Sequence, residues 1–214
     1  MPGPGANFSY VGNDTNKYKK GFEPKNKDAE KSFNELVSFI REIDKVDQTS
    51  YEDTLHKQLI LDHFLKITAV MLFAGCFDQL TGWNPHNYYL YRNPKTDLWS
   101  YIPWDLDVGF ADRAFGSIPV IDGWNAAWPI PGGPPKPILE NIVSNKNLLK
   151  KYRETASILL EKYFKPEKVH QKLNILYSII EDDLKRDPFP KRRFTNPDDK
   201  GYDDIIEKLK QFST

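Results

Sequence analysis

Hydrophobic positions first recur with a helical period after Asp28. Phe33, Leu36, Val37, Ile40 and Ile43 fall on one face, and Asp28 stands where an N-cap belongs, so the spacing predicts an amphipathic helix ending near Asp44. A turn-rich link and a further helical turn or two over Tyr51 to Leu59 follow. From Asp62 the run Phe64, Leu65, Ile67, Thr68, Val70, Met71, Leu72 and Phe73 is apolar nearly all round, which predicts a helix at the centre of the domain. It leads through Gly75-Cys76-Phe77 to Asp78, at the start of a loop from Gln79 to His86. The period then changes from helical to extended. Tyr88 to Arg92 and Leu98 to Trp104, rich in aromatic and β-branched residues, flank Asn93-Pro94-Lys95-Thr96-Asp97 and predict a β-hairpin with a longer loop. Gly116 to Pro137, dense in Gly, Pro and Trp, reads as a long functional loop. From Pro137 the pattern is helical again through Tyr152, Leu159 and Phe164. Pro166 takes an N1 position for a segment through Leu184, and Ile205, Ile206, Leu209 and Phe212 predict a short terminal helix. Residues 1–27 read as an extended segment pinned by Tyr10, Tyr18 and Phe22. The fold class is α+β, mainly helical.

Antiparallel pairing gives the hairpin its interest. The residue entering the first strand lies beside the residue leaving the second, so Asn87 is expected within about two residues of Asp105. Asp105 and Asp107 share one face if the strand continues that far, or occupy the adjoining turn if it ends at Trp104. With the amide oxygen of Asn87 they form a hard, all-oxygen donor set suited to Mg²⁺ or Mn²⁺ and poorly suited to zinc. Asp78, held at the end of the central helix, is then a carboxylate free to orient or deprotonate an attacking hydroxyl. Against this stands the frequency of Asp-x-Asp as a simple turn former. His86 either contacts a nucleotide or metal, or hydrogen-bonds backbone. Trp104 either stacks on an adenine or joins the core. Arg92 and Trp99 read as cross-strand partners.

Composition narrows the partners. Among 214 residues, Lys plus Arg and Asp plus Glu both total 30, so no net field favours nucleic acid or an anionic membrane. The longest apolar stretch, Ile67 to Phe77, falls well short of the roughly 20 residues of a membrane span. The first residues have neither a basic n-region nor an apolar h-region, so a soluble chain without a secretory signal is expected. Cys76, the single cysteine, excludes an intrachain disulfide and a cysteine-based zinc cluster and reads as a small buried hydrophobe. The proline-broken basic connection Lys185 to Arg193 reads as a solvated loop in preference to a phosphate patch.

Phe77-Asp78, then His86-Asn87-Tyr88-Tyr89-Leu90-Tyr91, then Trp99, then Ile102-Pro103-Trp104-Asp105-Leu106-Asp107 and Gly109-Phe110, resembles the signature of the spore coat protein H (CotH) kinase-like family. The resemblance implies an atypical protein-kinase-like fold that transfers phosphate from Mg-ATP to serine or threonine of coat or surface proteins, with the spore coat or cell surface as its place. Under it Asp78 resembles the catalytic-loop aspartate, Asn87 the metal-binding asparagine that follows it, Asp105 the aspartate that stands where ordinary kinases have Asp-Phe-Gly, and Asp107 a second acidic contact. No β-rich segment or glycine-rich phosphate loop precedes Asp28, so residues 28–214 are expected to be the C-terminal lobe of a fragment or truncated form, with weak or absent kinase activity alone. Two other readings stay open: a catalytically silent surface-assembly module binding through Trp124 and Trp128, and a kinase-like fold that transfers AMP or glutamate.

Overall fold

The computed structural model describes residues 6–76, 78–82, 85–110, 113–114, 118–119, 135–189, 191–193 and 196–213. Phe77, Trp83 and most of the Gly116 to Pro137 stretch, Trp124 and Trp128 included, lie outside the described residues. The fold is mainly helical with a two-stranded antiparallel hairpin at its side. Helix α1 spans Ala29–Lys45, opened by the Asp28 carboxylate, which accepts the Lys31 N–H. Its predicted face is buried, joined by Phe39. Helix α2 covers Tyr51–Gln58 and buries Tyr51 and Leu55.

Helix α3, Leu61–Phe73, is the central helix that its apolar circumference predicts. Leu65 and Ala69 have no exposed surface, and Thr68, the polar residue among them, donates its hydroxyl to the Phe64 carbonyl one turn back. The helix ends at a residue that tolerates a left-handed backbone: Gly75 has φ 59°, and the Cys76 N–H donates to the Met71 carbonyl.

Strands β1, Tyr88–Arg92, and β2, Trp99–Pro103, pair antiparallel with Tyr88 opposite Pro103 and Arg92 opposite Trp99. Trp99 and Tyr101 point into the core, where Tyr101 meets Phe64 edge-on at 5.7 Å and Trp99 meets Phe39 at 5.2 Å. Tyr89, Tyr91 and Ile102 stay exposed on the opposite face. The link between α2 and α3 braces the ribbon: Leu59 forms a parallel bridge with Trp99, and the Ile60 N–H donates to the Trp99 carbonyl. A two-residue pair, β3 (Arg113–Ala114) with β4 (Ile118–Pro119), follows.

The N-terminal segment carries a 3₁₀ turn at Thr15–Tyr18 and lies over the junction of α1 and the hairpin. Phe8 is buried against Phe39 and Tyr88, Tyr18 is fully buried, and Tyr88 donates its hydroxyl to the Ala6 carbonyl. The Asn7 amide reaches the Pro135 carbonyl at 2.5 Å, joining this segment to the entry of the next helix.

The helical pattern after Pro137 divides in two, α4 (Pro137–Ser144) and α5 (Lys146–Tyr163). Asn145 separates them because its side-chain oxygen accepts the N–H groups of Asn147 and Leu148, restarting the chain as an N-cap. Helix α5 packs on α3, and the fully buried Ile138, Leu139, Ile142 and Leu148 join the core. Helices α6, Pro166–Arg186, and α7, Tyr202–Phe212, pack on each other, and neither has a fully buried side chain. Their junction is polar. Asp199, with no exposed side-chain surface, receives Arg193 at 2.8 Å and Lys208 at 3.0 Å. Phe212 meets Phe110 at 5.7 Å and ties α7 to the stretch after the hairpin.

Candidate active site

The residues singled out in sequence converge at the open end of the hairpin. Beyond the Tyr88–Pro103 pair the ladder makes one further step, the Trp104 N–H donating to the Asn87 carbonyl at 3.0 Å, so Asn87 stands within one residue of Asp105. The strand ends at Pro103. Asp105 and Asp107 therefore occupy the irregular stretch after it, both exposed, and the one-face arrangement of a longer strand is not realised. Asn87 and Asp105 both take left-handed backbone conformations, φ 55° and 53°. Such conformations are uncommon for residues with a side chain and persist where the surroundings fix them.

Asp78 sits below this mouth with 7% of its surface exposed. Its Oδ2 accepts the Asn87 side-chain N–H at 2.7 Å and lies 3.5 Å from His86 Nε2, while its carbonyl accepts the His86 N–H. Its Oδ1 is buried and has no hydrogen-bond partner among the described residues. Burial pushes the Asp78 carboxyl above the ordinary range; His86 and the residue's own backbone N–H pull it down, and Asp107 and Asp105 push it up. The three aspartates thus feel one another electrically, with Asp78 inside and the other two facing solvent. Cys76 is buried as expected, its thiol pushed up to about 12 by burial and, secondarily, by Asp78.

Trp104 is 47% exposed and stacks against Tyr89 with ring centroids 6.0 Å apart. It is a surface platform and not a core residue. It borders a cleft of about 1170 Å³ between the N-terminal segment, the start of α1 and the outer hairpin face, with Phe22, Lys25, Glu35 and Tyr91 in the walls and His86 and Asn87 in the lining. Asp78, Asp105 and Asp107 stand outside that lining. The cleft and the acidic mouth therefore adjoin without coinciding. Arg92, opposite Trp99, pairs with Glu35 and Asp97, as suits a structural partner.

Among the described residues, no three His, Cys, Asp or Glu side chains group closely enough to hold a metal ion. A cation at this mouth would depend on the Asn87 amide oxygen as well as on carboxylates. That donor chemistry, all oxygen and beside an unsatisfied buried carboxylate oxygen, fits a hard divalent ion.

Two residues here take roles that the sequence does not announce, although Gly109 belongs to the signature. Gln79, fully buried, donates to the carbonyls of Asn87 at 3.0 Å and Trp104 at 2.8 Å and accepts the Tyr101 hydroxyl at 3.1 Å. Its only cue in the sequence is its position next to Asp78. Gly109 brings the chain back against the end of α3: an added Cβ would lie 2.8 Å from the Ala74 carbonyl oxygen, which accepts the Phe110 N–H at 2.6 Å.

The fold and this mouth define a mainly helical protein whose β1–β2 hairpin gathers aspartates, an asparagine and a histidine against the end of the central helix. A family model described as CotH kinase protein matches residues 4–214, and the chain belongs to that family. It is 26% identical over 201 residues to the inner spore coat protein H of Bacillus subtilis (strain 168), an alignment covering 90% of this chain and 50% of that protein. The chain thus spans about half the length of this relative. Among the described residues no helix is long and apolar enough to cross a membrane.

Proposed function

We propose that residues 28–214 form the C-terminal lobe of a CotH-type protein kinase that transfers the terminal phosphate of ATP to serine or threonine hydroxyls of coat or surface proteins. The observation that carries the reading is the Asn87 side chain bonded to Asp78 Oδ2, with Asp105 one residue from Asn87 across the ladder and Asp78 Oδ1 left without a partner. Asp78 accepts the proton of the attacking hydroxyl. A carboxyl raised by burial is the better proton acceptor for that task. Asn87 holds Oδ2, so Oδ1 is the oxygen left to take the proton. Asn87, Asp105 and Asp107 would hold Mg²⁺ or Mn²⁺, which when bound neutralises charge on the phosphates. His86 and Trp104 contact the nucleotide, Trp104 offering its exposed face to the adenine. Family membership and the printed name of the relative support coat proteins as the substrate class.

Mn²⁺ binding, read by electron paramagnetic resonance with and without ATP, tests the site. Asp105→Ala is expected to weaken Mn²⁺ by about tenfold or more, as loss of a charged ligand should. Equal affinity in the two proteins overturns the assignment of Asp105. Mass spectrometry of a coat-protein substrate incubated with ATP then decides the chemistry: a gain of phosphate supports it, and a gain of AMP or glutamate replaces it.

A further inference from the structure

One buried amide spans both halves of the hairpin mouth. The two N–H groups of Gln79 are both used, one on the Asn87 carbonyl and one on the Trp104 carbonyl. Its oxygen accepts the Tyr101 hydroxyl, and that hydroxyl in turn accepts the Leu80 N–H at 3.4 Å, so the amide is held in a single orientation. The carbonyls it grips belong to the peptide planes that join Asn87 to Tyr88 and Trp104 to Asp105. Those planes flank Asn87 and Asp105, whose backbones are left-handed. A non-glycine residue leaves that region when it is not held there. Relaxation of Asn87 would swing its side chain off Asp78, and relaxation of Asp105 would re-aim its carboxylate.

We infer that Gln79 is the positioning residue of this site, a clamp whose two donors hold Asn87 and Asp105 in the strained conformations that aim their side chains toward Asp78 and a divalent cation. Gln79 touches neither substrate nor cation. It acts through two backbone carbonyls, with Tyr101 fixing its orientation. The inference rests on the proposed metal-binding role of Asn87 and Asp105 for its consequence, and on hydrogen-bond geometry alone for the clamp itself.

Gln79→Met keeps the volume of the side chain and removes both donors. Hydrogen exchange by NMR and Mn²⁺ binding by electron paramagnetic resonance, measured on wild type, Gln79→Met and Asp105→Ala, separate the possibilities. In Gln79→Met the Trp104 backbone amide is expected to exchange about tenfold faster or more, as fits the loss of a hydrogen-bonded neighbour. The Asn87 side-chain N–H resonances should lose the shift due to their bond to Asp78, α1 amides should keep wild-type protection, and Mn²⁺ affinity should fall by about tenfold. Wild-type exchange at Trp104 and an unchanged Asn87 signature in Gln79→Met overturn the clamp. Faster exchange with unchanged Mn²⁺ affinity, where Asp105→Ala does lose Mn²⁺, overturns its role in positioning the site. If wild type and Asp105→Ala bind Mn²⁺ alike, the metal reading fails, and exchange still decides whether Gln79 is the clamp. Should Gln79→Met not fold, Tyr101→Phe answers in its place: loosening confined to residues 86–88 and 103–105 supports the clamp, and uniform or absent loosening overturns it.

Discussion

Replacing Asp78 by asparagine separates what this residue does for folding from what it does for chemistry. Burial raises its folded-state pKa above the unfolded value of about 3.9. A carboxyl shifted in that direction contributes stability that is complete below the unfolded value and lost as pH rises through the folded one, so at pH 7.5 its ionised form is a net cost. The cost has a visible source, since the charge is held out of water and Oδ1 is buried without a partner among the described residues, a situation worth about 1–3 kcal/mol or more for a charged group. Asparagine retains an oxygen to accept the Asn87 N–H and removes the charge, but it sets its own NH2 group in the buried place of Oδ1 and forfeits the attraction to His86. Setting both losses against the relief of the buried charge leaves about 1 kcal/mol of added stability at pH 7.5, or about 2–4 °C in Tm for a chain of this size. Thermal unfolding followed by circular dichroism at pH 7.5 and near pH 4 reads it directly. The gain should shrink toward zero in acid, while phosphate transfer is lost at either pH. A lower Tm for Asp78→Asn at pH 7.5, or a gain of equal size at both pH values, refutes the reasoning.

Asp199 carries the opposite sign. Against the opposing penalty of its own burial, hydrogen bonds from Arg193 and Lys208 hold its carboxyl far below the usual range. Its contribution is therefore present above the unfolded pKa and lost as pH falls through the depressed one. Asp199→Ala should cost about 3 kcal/mol in urea unfolding at pH 7, with the gap to wild type narrowing in acid. Gly109→Ala, which sets a methyl group against the Ala74 carbonyl oxygen, should cost about 1–3 kcal/mol in the same assay. Trp104→Ala, at an exposed platform, should leave stability within about 0.5 kcal/mol of wild type and weaken Mg-ATP, measured calorimetrically, by about 1–3 kcal/mol.

Much of this arrangement is legible in the chain because its signals are local. Asp28 as a cap, the one-sided face of α1, the apolar circumference of α3 and Pro166 opening α6 each follow from a few neighbouring residues. The hairpin is legible for the same reason, and its register follows from antiparallel pairing once the strands are set. The division of α4 from α5 is harder to see, because Asn145 interrupts a continuous helical pattern through a side-chain bond that hydrophobic period does not encode. The absence of fully buried side chains on α6 and α7 is likewise invisible, since amphipathic spacing predicts a face without naming what covers it. At the site, Asp78, His86, Asn87 and Asp105 meet because two strands and a loop bring them together, and the residue types announce themselves. Gln79 does not. The groups it donates to lie 8 and 25 positions away and are backbone carbonyls, which leave no mark on the sequence.

The packing of the first described residues has a consequence for how this protein can be exchanged between chains. Phe8 and Tyr18 fill the same core as α1 and Tyr88, and Asn7 reaches across to the start of α4. Asp28, where the helical pattern begins, looks in sequence like a natural seam. A recombination or fusion joint placed there would divide one hydrophobic core between two parents, and the incoming segment would have to match the Phe39 and Tyr88 rings it covers. Joints that preserve residues 6–27 together with the hairpin keep that match, so these two stretches should be inherited as a unit although 60 residues of other structure lie between them.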